Sequence, residues 1–151
     1  MKQVAIALGS NLGDREQFLR DAIAALTPIV RNVRVSSFHD TAPVGVGPQP
    51  AFLNAAAVGE TSLSALELLR ALLAIEQRHG RERPFPGAAR TLDLDLILYE
   101  DAIEQSEELT LPHPRFRERR FVLAPLAEIA PDWRDPVTGR SVEELLRALN
   151  E

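Results

Sequence analysis

Residues 90–100 read RTLDLDLILYE. The run alternates with a period of two, the signature of a β-strand. Successive strand side chains point to opposite faces. Leu92, Leu94, Leu96 and Leu98 therefore share one face, and Thr91, Asp93, Asp95 and Ile97 the other. The leucine face is built for a core. The opposite face sets two carboxylates about 6–7 Å apart along the strand. Like charges at that spacing repel, and taking them out of water costs several kcal/mol more. Water, an arginine or a divalent cation has to answer them.

Working outward, the neighbouring segments fall into place around this strand. Val4–Leu8 reads as a short buried strand, and GSNLGD after it as a turn rich in Gly and Asn. Asp14 is placed to cap a helix with Phe18, Leu19, Ile23 and Leu26 at helical spacing. NVRVSSFHD (32–40) reads as a second strand, TAPVGVGPQP (41–50) as a loop and FLNAAAVGET (52–61) as a third strand. SALELLRALLAIEQRHG (64–80) is the clearest helix. Ser64 and Glu67 form a capping box at its start, and Gly80 closes it. After the strand at 90–100 come ELTLPHP, a helix in the stretch 118–129, and a last short helix, SVEELLRALN, capped by Ser141. The order β-α-β-β-α-β followed by C-terminal additions predicts an α+β, ferredoxin-like domain: an antiparallel sheet with helices on one face. One domain spanning 1–151 is expected from the length.

Composition narrows the chemistry. The chain has no cysteine, which excludes thiolate metal sites and disulfides and fits a cytoplasmic protein. No apolar stretch approaches the length of a membrane span. A net charge of −5 argues against bulk nucleic-acid binding. Against that background two basic clusters stand out: RHGRER, with Arg78, Arg81 and Arg83, and HPRFRERR, with Arg115, Arg117, Arg119 and Arg120. Concentrated basic spots on an acidic protein suit a small polyanion.

The Asp93–Asp95 pair is the strongest chemical signal. A solvated sheet face would tolerate such a pair. The alternative is Mg²⁺, which keeps several waters and takes one or two carboxylates together with substrate phosphates. Arg90, directly before the strand, and Arg81 and Arg83, opening the loop that leads to it, favour the second reading, since guanidinium groups grip phosphate oxygens bidentately. His113 lies between Pro112 and Pro114, where a neutral imidazole can donate to a phosphate or shuttle a proton. His39 and His79 read as surface residues. Neither G-x-x-x-x-G-K-[ST] nor G-x-G-x-x-G occurs, so metal and arginine would do the cradling of any nucleotide.

ALGSNLGD, VSSFHDTAPVG, FLNAA, IEQRHGRER, RTLDLDLILY and LPHPRFRERRFVLAPLAEIAP, in that order across nearly the whole chain, resemble the 6-hydroxymethyl-7,8-dihydropterin pyrophosphokinases of folate biosynthesis. The resemblance implies transfer of pyrophosphate from ATP to a pterin hydroxymethyl group, with release of AMP. It implies that Asp93 and Asp95 hold two Mg²⁺ ions, and that Arg81, Arg83, Arg90, His113 and Arg119 contact the triphosphate. By the same carry-over, Arg81, Arg90 and His113 join the two aspartates in the catalytic set. Leu96 and Thr110 match positions near adenine, and Glu76 matches an acid of the ATP site. Thr41, Pro43, Val44 and Asn54 match the pterin pocket, with Phe52 and Phe121 sandwiching the ring. Phe52 stands where a tyrosine is common, Ala42 where a proline is frequent, and Phe85 near the place of a tryptophan, in a loop about one residue shorter. A cytoplasmic monomer with small-molecule substrates, and with no nucleic-acid or membrane partner, is the expectation. Two rivals are a Mg²⁺-dependent transferase acting on another heterocyclic alcohol and a ligand-sensing module without catalysis. A sensing module needs neither the carboxylate pair nor the arginine-rich loop.

Overall fold

The sheet is organised about β1 (Lys2–Ser10), which pairs antiparallel with β4 (Phe52–Thr61) on one side and β5 (Asp93–Tyr99) on the other. This computed structural model describes residues 1–41, 52–79 and 92–150. β2 (Arg31–Val35) and the short β3 (His39–Thr41) both pair antiparallel with β4, giving the order β2-β4-β1-β5 with β3 also on β4. With α1 (Arg15–Leu26) after β1 and α2 (Ala65–Arg78) after β4, this is the ferredoxin-like α+β pattern. Among the described residues, no helix is long and apolar enough to cross a membrane.

Local chemistry accounts for the element ends. Asp14 caps α1 by accepting from the Gln17 N–H at 3.2 Å. Ser64 and Glu67 form the expected capping box on α2, and Ser141 and Glu144 form another on α4 (Val142–Leu149). The segment 32–40 is two strands, not one. Ser36 turns inward between them, its hydroxyl accepting from the Ala56 N–H at 2.9 Å. A small polar residue can bond the neighbouring backbone this way and interrupt the pleat. Gly59 allows the chain leaving α1 to pass close to β4. A Cβ there would sit 2.5 Å from Val30 Cγ1 and 2.6 Å from the Arg31 carbonyl oxygen.

Helices cover both faces of the sheet, not one. Val4, Ile6, Leu8, Leu92, Leu94 and Leu96 pack under α1 and α2 with Leu19, Leu26, Leu68, Leu72 and Ile75. On the other face Ala5, Ala56, Val58, Ile97 and Leu98 meet Phe116 and residues of α3 (Arg120–Ile129) and α4, among them Val122, Leu123, Leu126, Val142 and Leu145. The C-terminal additions thus supply a second core. Leu98 departs from the simple alternation. β5 bulges against β1: Ile6 faces Leu96, but Ala5 faces Leu98, leaving Ile97 as the extra residue. One extra residue reverses the facing of everything after it. Leu98 accordingly joins the second core, and the leucine stripe of the α2 face ends at Leu96.

Beyond β5 the chain makes a small hairpin of β6 (Glu104–Gln105) and β7 (Thr110–Leu111), then a single 3₁₀ turn at Phe116–Glu118, before α3. Phe116 is fully buried in the second core and anchors that turn.

Candidate active site

In register, Asp93 faces Gly9 and Asp95 faces Ala7 across β1–β5, while Gly9 faces Asn54 and Ala7 faces Ala56 across β1–β4. Directly opposed residues share a sheet face. The two aspartates, Gly9, Ala7, Ala56 and Asn54 therefore lie together, on the face covered further along by α3. Three of these six carry a single methyl or no side chain, so the floor is low between an acidic wall on β5 and the Asn54 wall on β4. Asn54 is buried, and both aspartates are half-buried. Gly9 is needed for this arrangement: a Cβ there would lie 3.0 Å from Asn54 Oδ1 and 3.7 Å from a Phe52 ring carbon. Asn54 and Phe52 thus reach over the one position that offers no side chain.

The segment after β7 closes the other side. The His113 N–H donates to the Ile97 carbonyl at 3.0 Å, tying the histidine to β5. Its Nδ1 accepts from the Arg115 N–H at 3.3 Å, so in the neutral ring the proton belongs on Nε2. Burial holds the His113 pKa below its usual value, the positive charges of Arg119 and Arg115 lower it further, and Asp93 opposes them. The imidazole is therefore neutral at neutral pH, with Nε2–H as the ring's donor. Arg119 stacks on Phe121, its Cζ 5.5 Å from the ring centroid. Phe121 lies in the first turn of α3 and packs partly against the second core.

Two clamps fix these pieces. Asp135 is fully buried and accepts from Arg117 through Nε and, at 2.8 Å, Nη2, as well as from the Val137 N–H at 3.0 Å and the Thr138 hydroxyl at 2.8 Å. Burial alone would raise its pKa. The Arg117 guanidinium and the other donors outweigh it and bring the value from 3.8 to about 2. Glu128 of α3 accepts from the Ser37 N–H at 3.0 Å, from the Ser37 hydroxyl at 2.7 Å and from His39 Nε2. The Ser37 N–H does most to hold Glu128 below the usual carboxylate range. This ties α3 to β3. His39 is thus half-buried and engaged, not a free surface residue. His79 is also half-buried, edge-on to Phe18 and bonded through Nδ1 to the Ile75 carbonyl at 2.8 Å.

Of the residues singled out from sequence, the structure gathers Asp93, Asp95, Asn54, Phe52, His113, Arg119 and Phe121 around this end of the sheet. Leu96 turns its side chain into the α2-side core, so only its backbone is offered at the sheet edge. Thr110 lies in β7, half-buried. Glu76 is 2% exposed, and its Oε2 accepts from the Leu94 N–H at 2.6 Å. Pro43, Val44, Arg81, Arg83 and Arg90 lie outside the described residues, as does the side chain of Thr41. The sequence reading missed Gly9, the Arg117–Asp135 brace and Glu128. Gly9 left a signal in its place directly after the apolar run of β1. Asp135 and Glu128 left none, since their partners are remote in sequence.

Among the described residues, no three of His, Cys, Asp or Glu converge on one point. The site offers two carboxylate oxygen donors, which is the protein share that Mg²⁺ takes when phosphates and water complete its shell. The donor set therefore fits that ion.

Comparison with known proteins bears on this site. The family model described as 7,8-dihydro-6-hydroxymethylpterin-pyrophosphokinase matches residues 5–131. The chain is 44% identical over 147 residues to the 2-amino-4-hydroxy-6-hydroxymethyldihydropteridine pyrophosphokinase of Synechocystis, covering 96% of this chain and 75% of that one. It is 45% identical over 141 residues to the enzyme of the same name from Bacillus subtilis, covering 92% and 84%. The folic acid synthesis protein fol1 of Schizosaccharomyces pombe matches at 40% over 146 residues, which is 95% of this chain and 20% of fol1. Among solved structures, a crystal structure of wild-type Plasmodium falciparum HPPK-DHPS superposes with a TM-score of 0.73 at 13% identity, over 98% of this chain and 43% of that one. A triple mutant of the same protein reaches a TM-score of 0.78, also at 13% identity, over 97% and 43%. The chain spans less than half of these solved chains, and the likeness to them is one of fold.

Proposed function

The chain belongs to the 7,8-dihydro-6-hydroxymethylpterin-pyrophosphokinase family, and from that premise we propose that it transfers pyrophosphate from ATP to 6-hydroxymethyl-7,8-dihydropterin, with Mg²⁺ required and AMP released, in folate synthesis. The observation that carries this is Asp93 and Asp95 side by side over the low floor of Gly9 and Ala7, facing Asn54. Pyrophosphoryl transfer with AMP as leaving group fixes the bonds. The hydroxymethyl oxygen attacks the β-phosphorus, the α-phosphate–oxygen–β-phosphorus bridge breaks on the β side, and the hydroxyl proton is lost.

In this reading Asp93 and Asp95 hold two Mg²⁺ ions, which when bound supply charge neutralisation at the transferred group. The protein's own residues do the rest. Neutral His113 donates from Nε2 to a phosphate oxygen, its ring held by the Arg115 N–H and its backbone by the Ile97 carbonyl. Arg119, with Arg81, Arg83 and Arg90, neutralises the triphosphate. The Leu96 backbone and Thr110 border the adenine. Asn54 pairs with the amide-like edge of the pterin, beside Thr41, Pro43 and Val44, and Phe52 and Phe121 offer aromatic faces to its ring. The protein works in the cytoplasm as a single domain over 1–151 and as a monomer, for which light scattering on a sizing column is the check.

Incubation with Mg²⁺, ATP and 6-hydroxymethyl-7,8-dihydropterin tests the proposal. AMP and the pterin diphosphate are expected in equal amounts. ADP in place of AMP, or no consumption of ATP, would overturn it.

A further inference from the structure

We propose that Glu76 is a positioning residue, one that aims Asp93 and Asp95 by holding the backbone between them. The inference rests on the reading of those two aspartates as the metal-binding pair.

β5 is the last strand of the sheet among the described residues. Alternate amides of such a strand point away from the ladder and need a partner. Left buried and unbonded, an N–H costs as much as a lost hydrogen bond. The Leu94 amide finds its partner in Glu76, at 2.6 Å. Glu76 lies near the end of α2 next to Ile75, both on the helix face turned to the core. A carboxyl group at 2% exposure is expensive unless its oxygens are used. A glutamate there, where the helix pattern would accept a leucine, points to a specific task.

That task follows from which residue is held. Leu94 stands directly between Asp93 and Asp95. Its side chain is 4% exposed in the α2-side core, and its amide is bound by Glu76. Leu94 is therefore fixed from two directions, while its neighbours project from the opposite face toward the site. A pair of metal-binding carboxylates needs its spacing held by a supporting layer of bonds. Glu76 supplies that layer from beneath the sheet. A direct nucleotide contact by Glu76 predicts something different: loss of ATP affinity on removal of the charge, even with the strand intact.

The test compares Glu76→Gln, whose amide carbonyl still accepts from Leu94, with Glu76→Leu, which cannot. Two quantities are read in the full chain. The first is hydrogen exchange of the Leu94 amide without metal or nucleotide. The second is the Mg²⁺ concentration at half-saturation, with a non-hydrolysable ATP analogue held constant. In Glu76→Leu, Leu94 should exchange at least roughly tenfold faster than the change in global stability accounts for. Its Mg²⁺ midpoint should rise by about fivefold or more. Glu76→Gln should keep the Leu94 amide protected and its Mg²⁺ midpoint within about twofold of the parent. Normal Leu94 exchange in Glu76→Leu overturns the proposal. So does a Glu76→Gln protein with a protected Leu94 amide but a large rise in midpoint, because the carboxyl would then act by charge or by touching ligand. If Glu76→Leu does not fold, Glu76→Gln alone decides between those outcomes. Failure of the metal reading is seen separately: Asp93→Asn and Asp95→Asn would then leave the Mg²⁺ midpoint unmoved, whatever Leu94 does.

Discussion

At Gly9 the absence of a side chain is what leaves room for its neighbours. Asn54 and Phe52 lean over it, and Gly9→Ala would place a methyl 3.0 Å from the Asn54 carboxamide oxygen. The carboxamide is buried and must give by a few tenths of an ångström. We expect the KM for the pterin to rise roughly tenfold with ATP binding little changed, because misplacement of an orienting group by less than an ångström is enough for that; steady-state kinetics with each substrate varied are the check. Opposite Gly9, Asp93→Asn keeps the shape and removes the charge, as does Asp95→Asn. Either change should lower turnover by at least about two orders of magnitude, the scale of one lost electrostatic contact in the transition state. Folding should survive, since repulsion is relieved, and a melting curve alongside the assay shows whether it does. Near-parental turnover in both variants would remove the two-metal reading. His113 is expected to titrate below 6.5, its midpoint read by NMR of the ring protons. The Arg115 amide should report the same midpoint, since protonating Nδ1 breaks the bond that amide makes.

At the scale of elements, the face carrying Asp93 and Asp95 depends on parts that never touch it. The turn carrying Arg115 to Arg119 is braced by Arg117 on buried Asp135. Asp135→Ala leaves that guanidinium partly buried and alone, and should cost about 3 kcal/mol, the range for breaking one side of such a pair. Chemical denaturation measures the loss. Exchange at the amides of 115–119 should rise beyond what global stability explains. Phe121, in the first turn of α3, carries Arg119 on its ring. Phe121→Ala should weaken pterin binding roughly ten- to a hundredfold, and ATP binding less, by the usual worth of one stacking face. Titration calorimetry of each ligand separates the two. Unchanged pterin affinity in a destabilised protein would mean that the ring serves only the core. Much of this was legible beforehand. The alternation in 92–96, the Ser64–Glu67 box and the Asp14 cap are local signals, and local signals survive folding. The switch of Leu98 to the other core was not legible, because a bulge is set by how two strands meet and leaves no trace in one of them. The break in 32–40 was hidden for a similar reason: Ser36 turns inward to answer a backbone amide twenty residues away.

For the whole molecule, acid should act in two stages. His113 is harder to protonate folded than unfolded. Both states are neutral above 6.5, and stability then falls as pH drops through that value toward the lower folded one. Asp135 has the opposite history. Its contribution is complete above 3.8 and is lost as pH falls through about 2, removing about 2 kcal/mol. Thermal melts from pH 7 to pH 2 should show both declines, and Asp135→Asn should lack the second. The two cores also differ in when they can exist. The sheet and its first core are complete by Leu111, whereas the second core draws on Phe116, Val122, Leu126, Val142 and Leu145. A ribosome emitting this chain therefore releases a sheet with one side finished and the other bare. Ala5, Ala56, Val58, Ile97 and Leu98 stay uncovered until the last third emerges, which at about 5–20 residues per second takes several seconds. The side that waits is the side with the two aspartates. Two such faces brought together would set like charges against each other, which opposes their pairing before α3 arrives.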